Sequence, residues 1–326
     1  MTGEVLAAVL AEMAEAGLDA LVLRPSPDLD YLAGHDASGF LVLVPGRTPG
    51  FAAEAAGAAA LIPASASRVG VDGEMRAREL FALSLTADLV LASEVLAPLR
   101  AVKRPEELAA IERAVAATDL VLTFAPHLRW FGATEDAMAR RLAGESGASG
   151  LVSVVVAAGE NTARPGHLPG GRVINPGDAV AIRVSARHRG YHAHASRGFV
   201  VAEPPEDFDA VYAVLLAARD AAAGAVRPGA PASHVHAAAE AVLDESGYGP
   251  YVTGGTGHGV GLAPREGPWL SAGDHTVLAP GMTMAIEPGI HVPDLYGARV
   301  GDVVECTQTG VRTMNRTPGA LLVLDP

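Results

Sequence analysis

Cysteine and lysine are almost absent from this chain. Cys306 is the only cysteine, so no disulfide can form within the chain and no cysteine-ligated metal site can exist. A reducing, cytoplasmic setting fits that usage. Lys103 is the only lysine, which leaves arginine to carry nearly all the positive charge. Aromatic residues make up 5% of the sequence, so helices are expected to pack through alanine and glycine rather than through rings. Basic patches are missing as well, and the formal net charge is −13. Nucleic acid and anionic membrane surfaces are therefore not expected partners, because nothing is present to neutralise phosphates. No run approaches the roughly 18 uninterrupted apolar residues that span a bilayer. Nor does a basic segment followed by a long apolar stretch open the sequence, so neither a membrane span nor a signal peptide is expected.

What is present suffices for two cores. Hydrophobic residues are 49% of 326, a length comfortable for two domains. Residues 4–16 have helical spacing and end at Gly17, as at a helix C-cap. Apolar strand candidates follow at Leu18–Leu23, Phe40–Val44, Val69–Val71 and Leu89–Leu91, with alanine-rich helices between them. Residues 1–99 thus read as a small α/β domain. Arg100–Glu107 reads as a linker that turns into a helix, with Pro105 placed in the first turn. Beyond it the pattern is α+β. Helices are expected at 106–124, 133–145 (capped by Thr134), 207–224 and 231–246. Strands are expected at 151–157, 179–185, 191–201, 250–254, 282–286, 298–306 and 320–324.

The segments 179–185 and 191–201 form a hairpin if His188-Arg189 makes a two-residue turn. That register sets Arg183 opposite His194 and Ser185 opposite His192. Since side chains alternate faces along a strand, Arg183, Ser185, His192 and His194 would share one face.

Two later segments stand out: Gly257-His258-Gly259-Val260-Gly261-Leu262 and Met284-Ala285-Ile286-Glu287-Pro288-Gly289. The first is no dinucleotide fingerprint, since the third glycine at the required offset and a βαβ entry are missing. With Gly17-Leu18-Asp19-Ala20-Leu21, Asp30-Tyr31-Leu32-Ala33-Gly34, Lys103-Arg104-Pro105-Glu106-Glu107, Gly190-Tyr191, Ser196-Arg197, Phe199, Arg299 and Asp302, they resemble, in order and spacing, the pita-bread family of aminopeptidase P, prolidase and creatinase. The resemblance covers nearly the whole chain. It implies a creatinase-type α/β domain over residues 1–99, a pita-bread α+β domain over residues 100–326, and a homodimer.

Hydrolases of that family hold two metal ions with two Asp, one His and two Glu. Carried over residue by residue, the resemblance puts Arg183 and His194 at the Asp positions, His258 at the His position, and Glu287 and Gly301 at the Glu positions. Arg265-Glu266 stands where the family usually has His before Glu. Pro165-Gly166-His167 stands where it usually has Pro-His. With both histidines neutral, these five positions sum to zero charge without any metal. A buried Glu287 needs a partner, and Arg183 is the expected one. A dication about 5 Å from Arg183 would meet a repulsion of about 7 kcal/mol at an effective dielectric of about 20.

The expectation is therefore a hydrolase without cofactor, acting on an amide or other C–N bond of a small amino-acid-like or peptide substrate. Creatinase is the family precedent for metal-free hydrolysis. His167, His258 and Glu287 are the catalytic candidates, with His167 as the base. Arg183, His192, His194, Arg265, Glu266 and Arg299 are the substrate-binding candidates. Glu287 and Glu266 would grip a cationic group, and Arg265 and Arg299 a carboxylate. Two alternatives stay open. One is a non-catalytic pseudo-peptidase that binds a small molecule or a protein partner. The other is a mononuclear metallopeptidase holding one Zn, Mn or Fe at His194, His258 and Glu287.

Overall fold

A computed structural model describes residues 3–34 and 37–324. The chain divides into two compact units, Met1–Ala101 and Val102–Pro326. The first is built on a five-stranded sheet with the strands in the order Gly50–Ala52, Phe40–Leu43, Ala20–Leu23, Arg68–Val71, Asp88–Leu91. Ala20–Leu23 and Phe40–Leu43 are buried at every position, because both faces of the sheet are covered. Period-two alternation sends Leu21, Leu23, Leu41 and Leu43 into one core with Val9, Met13 and Leu96. Ala20, Val22, Phe40 and Val42 enter the other core with Ile62 and Leu83. Gly17 takes a left-handed φ of 65°, which lets the Leu18 N–H close the helix Gly3–Glu15 on the Met13 carbonyl at 2.8 Å.

Among the described residues the second unit contains three sheets. One runs Leu322–Leu324, Tyr191–Val201, Ala179–His188, Leu151–Ala158. A second runs Glu266–Leu270, Gly257–Gly259, Thr283–Ile286, Asp302–Thr307, Gly310–Thr313. A third pairs Gly289–Val292 with Tyr296–Arg299. The helix Pro105–Phe124 draws the first two together. Its Ile111, Ala114, Val115 and Ala117 pack with Ala186 and Ala193 of the hairpin and with Val260, Ala285 and Val303 of the second sheet. Ser196 and Gly301 exchange backbone hydrogen bonds at 3.1 and 3.0 Å across the same junction. Buried Arg197 adds an ion pair to Asp302 at 2.5 Å and a bond to the Gly301 carbonyl at 2.8 Å. Helices Phe208–Ala225 and Ala232–Glu245 bury alanines such as Ala218, Ala222, Ala232 and Ala239, but Phe208 and Tyr212 are buried with them, so rings enter this packing despite the scarcity of aromatics. No helix among the described residues is long and apolar enough to cross a membrane.

Three local expectations are corrected. The hairpin turns at Arg189-Gly190, with φ of 48° and 89°. Its ladder sets Arg183 opposite Ser196, Ser185 opposite His194, and Arg187 opposite His192. A two-residue turn of this hand needs positive φ at both central positions, and Gly190 supplies the second at least cost. Since the shift is two residues, Arg183, Ser185, His192 and His194 still share a face. Residues 250–254 form no strand. Gly249–Tyr251 is instead a short 3-10 turn, where Pro250 has no N–H to give a ladder. The segment 298–306 breaks at Val300-Gly301, and its halves join different sheets.

Candidate functional site

The second unit encloses a cavity of about 560 Å³ lined by Arg183, His258, Arg265, Trp269, Glu287 and Arg299, together with Pro165-Gly166 and the glycines Gly254, Gly255 and Gly257. Strand ends supply most of these side chains. Arg183 comes from the hairpin, His258 from the centre of Gly257–Gly259, Glu287 from the residue after Thr283–Ile286, and Arg299 from the end of Tyr296–Arg299. The glycines beside His258 are there because neighbouring backbone lies too close for a side chain. A Cβ on Gly257 would fall 1.9 Å from the Ala285 carbonyl oxygen, and one on Gly259 would fall 2.2 Å from that of Gly267.

Glu287 is the electrostatic centre. Its carboxylate lies 3.2 Å from His258 Nε2, 3.2 Å from the Arg265 guanidinium and 3.3 Å from that of Arg299. Burial alone would raise its pKa. The hydrogen bond from His258 and the charges of Arg299 and Arg265 outweigh burial and hold it at about 2. His258 Nδ1 lies 3.0 Å from the Gly259 carbonyl, so both ring nitrogens face acceptors. A neutral ring serves one of them at a time, and a cationic ring serves both.

Arg183 does not pair with Glu287, contrary to expectation. Its guanidinium donates to the Pro165 carbonyl and, at 2.9 Å, to the His167 carbonyl. Those two carbonyls fill one side of the arginine fork. Among the described residues no carboxylate lies within ion-pair distance of it. Burial lowers its pKa, the neighbouring charge of Arg299 lowers it further, and Glu287 opposes both.

The other candidates are distributed around the cavity rather than in its wall. His194 receives or gives a hydrogen bond at Ser185 Oγ (2.9 Å) and faces the Pro264 carbonyl at 2.8 Å. Its ring stands edge-on to that of His258, with centroids 5.9 Å apart. Burial lowers its pKa, against the pull of the Pro264 carbonyl. His192 is held at a pKa of about 4 by burial and by Arg187 and His194, and its Nδ1 is buried without a partner. Glu266 does not face the cavity as a cation grip. It pairs with Lys103 at 2.9 Å, since that lysine side chain is 1% exposed and needs a counter-ion.

His167 lies behind the Pro165-Gly166 rim, with Nε2 2.7 Å from Glu135 Oε2. Glu135 is fully buried, and its carboxylate also accepts from the Ala158 N–H (2.8 Å), the Asn161 amide (3.0 Å) and the Gly170 N–H (3.1 Å). Sequence reasoning missed Glu135, whose only visible signal was an acid just after a helix cap. It also missed Trp269, whose ring centroid lies 6.3 Å from that of His258. A third omission is His291, buried beside Arg299 and bonded to Thr253 Oγ1 at 3.0 Å. At Gly301 a Cβ would meet Ser196 Oγ at 2.6 Å and Glu287 Cβ at 3.1 Å. Among the described residues no group of three or more His, Cys, Asp or Glu is arranged to hold a metal ion.

Residues 109–308 match the model of metallopeptidase family M24. A protein described as a probable dipeptidase PepE, from Mycobacterium tuberculosis strain H37Rv, is 35% identical over 358 aligned positions that cover 98% of this chain and 96% of that protein. A Xaa-Pro dipeptidase from Pyrococcus furiosus is 33% identical, covering 70% of this chain and 67% of that protein. The crystal structure of dipeptidase PepE from Mycobacterium ulcerans superposes with a TM-score of 0.92 at 32% identity, covering 99% of this chain and 98% of that one. A dipeptidase from Pyrococcus horikoshii OT3 gives 0.91 at 27%, covering 98% and 100%. The fold common to them is the pita-bread fold expected from the sequence.

Proposed function

The chain belongs to metallopeptidase family M24, and from that premise we propose that it hydrolyses a peptide or amide C–N bond of a small, amino-acid-like or dipeptide substrate without the family's pair of metal ions. The names of its relatives point to dipeptides. The observation that carries the metal-free half is the state of Glu287, already neutralised by His258, Arg265 and Arg299. Two divalent ions need anionic ligands to balance them. Arg183, His194, His258, Glu287 and Gly301 supply one carboxylate, and that one is taken. His194 has both ring nitrogens engaged. The donor chemistry does not fit a dinuclear centre.

Hydrolysis on this set needs a base, an anchor and donors for the developing oxyanion. His167 is the proposed base. Glu135 orients the ring by accepting from Nε2–H, which leaves Nδ1 as the nitrogen able to take a proton. As water oxygen attacks the carbonyl carbon, that proton passes to His167. It then goes to the leaving nitrogen when the C–N bond breaks. Arg265 and Arg299 line the cavity beyond the Pro165-Gly166 rim and supply N–H donors to the oxyanion or to a substrate carboxylate. The His258–Glu287 pair holds these guanidiniums in place.

The test is a turnover assay of chelator-stripped protein on dipeptides (Xaa-Pro included), simple amides and guanidino acids. Activity should survive chelation and fall about 100-fold or more in His167→Ala. Turnover that appears only after metal is returned would overturn metal independence. If no substrate exceeds a Glu287→Ala control, the chain is a non-catalytic binding protein. A second reading has one observation in its favour, the approach of His194, His258 and Glu287 to one another. One Zn, Mn or Fe there would require His194 to leave the Pro264 carbonyl. Near-stoichiometric metal in the isolated protein would favour it.

A further inference from the structure

The charges that line the cavity do not cancel. Arg183, Arg265 and Arg299 present three guanidiniums, and Glu287 is the only carboxylate in the wall among the described residues. Two positive charges remain with His258 neutral. Glu287 is shared among His258, Arg265 and Arg299, which leaves Arg183 without an ionic partner among the described residues. The nearby acids are committed elsewhere. Glu266 pairs with Lys103, and Glu135 serves His167 and three further donors. Arg183 is nonetheless half-buried, and two backbone carbonyls fix its guanidinium at the cavity wall. A buried cation without a counter-ion is costly to keep, and a fork fixed in this way suits a carboxylate or a phosphate. Among the glycines of the wall, Gly254 has no heavy atom within 4 Å of where a Cβ would stand, which leaves room there for a ligand.

We infer that the cavity takes a ligand with two anionic groups, one of them seated on Arg183. This deepens the proposed function by naming the substrate class. It rests on the reading that the cavity is the substrate site, and it does not depend on hydrolysis. The group seated on Arg183 is a carboxylate or a phosphate, which share the geometry the arginine fork accepts.

Calorimetric titration of full-length, metal-stripped protein tests this with succinate and succinamate, which share a shape and differ by one charge. Succinate should bind about tenfold tighter or more. Arg183→Gln should bring succinate to the level of succinamate. Arg183→Lys, which keeps the charge and loses the fork, should retain a weakened preference. Inorganic phosphate is titrated in parallel. Phosphate binding that Arg183→Gln abolishes identifies a phosphate-type seat, and silence toward phosphate with the succinate preference intact identifies a carboxylate seat. Equal binding of succinate and succinamate, or a preference that survives Arg183→Gln, overturns the inference. If Arg183→Gln does not fold, the wild-type comparison and Arg183→Lys still decide. A silent turnover panel beside a clear succinate preference would sink the hydrolase reading alone. Turnover without any charge preference would sink this inference alone.

Discussion

Glu135 and Glu287 are two buried carboxylates with opposite forms of support. Glu287 faces cations, and Glu135 faces one imidazole and three neutral donors. Removing Glu135 would strand the buried Ala158 N–H and leave the half-buried Gly170 N–H and Asn161 amide without their acceptor. Glu135→Ala is expected to cost about 2–4 kcal/mol in urea unfolding, more than an exposed acid would. His291 gives a pH signature. Burial, reinforced by Arg299 and Arg183, lowers its pKa from 6.5 to about 4. The unfolded chain therefore binds a proton below the ordinary value that the native state refuses until about pH 4. Stability from this residue is present above pH 6.5 and is lost as pH falls toward 4, by at most about 3 kcal/mol. Urea unfolding across that window should show the slope, and His291→Asn should reduce it. At this scale the sequence spoke unevenly. His258 and Glu287 were legible because glycines and a Pro-Gly turn flag close backbone approach. The partner of Arg183 was not, since it depends on where a loop 16 to 18 residues earlier in the chain folds back to present the Pro165 and His167 carbonyls.

Among the elements, length decided what could be read. The helices Pro105–Phe124 and Phe208–Ala225 and the long hairpin strands carry enough periodic residues to declare themselves. Gly257–Gly259, Glu266–Leu270 and Gly289–Val292 are three to five residues long and glycine-bearing. Their strand character comes from neighbours, not from propensity. Yet the first two of those short strands put Gly257, His258 and Trp269 into the cavity wall. Gly257 is the sensitive point, because its missing side chain lets Ala285 pair across. Gly257→Ala should push the two strands apart and cost about 1–3 kcal/mol. Hydrogen exchange should then quicken at His258 and Ala285 before it does in the hairpin. Equal exchange in both places would mean that the second sheet is less dependent on that contact than its geometry implies.

For the molecule as a whole, charge is distributed in an uneven way. The chain is acidic by 13 charges, while the cavity around Glu287 is lined by an excess of arginine. Composition showed the first fact and could not show the second, because Arg183, Arg265 and Arg299 are far apart in sequence and meet only through the hairpin, the second sheet and the short third sheet. The near-absence of lysine has its own structural outcome. Lys103 sits with its side chain 1% exposed against Glu266. An amine-directed acylating reagent therefore finds no lysine on the folded surface. Modification of Lys103 should advance only as fast as the second unit opens, and peptide mass spectrometry of that one residue would time the opening events. The chain carries its own single-hit chemical clock.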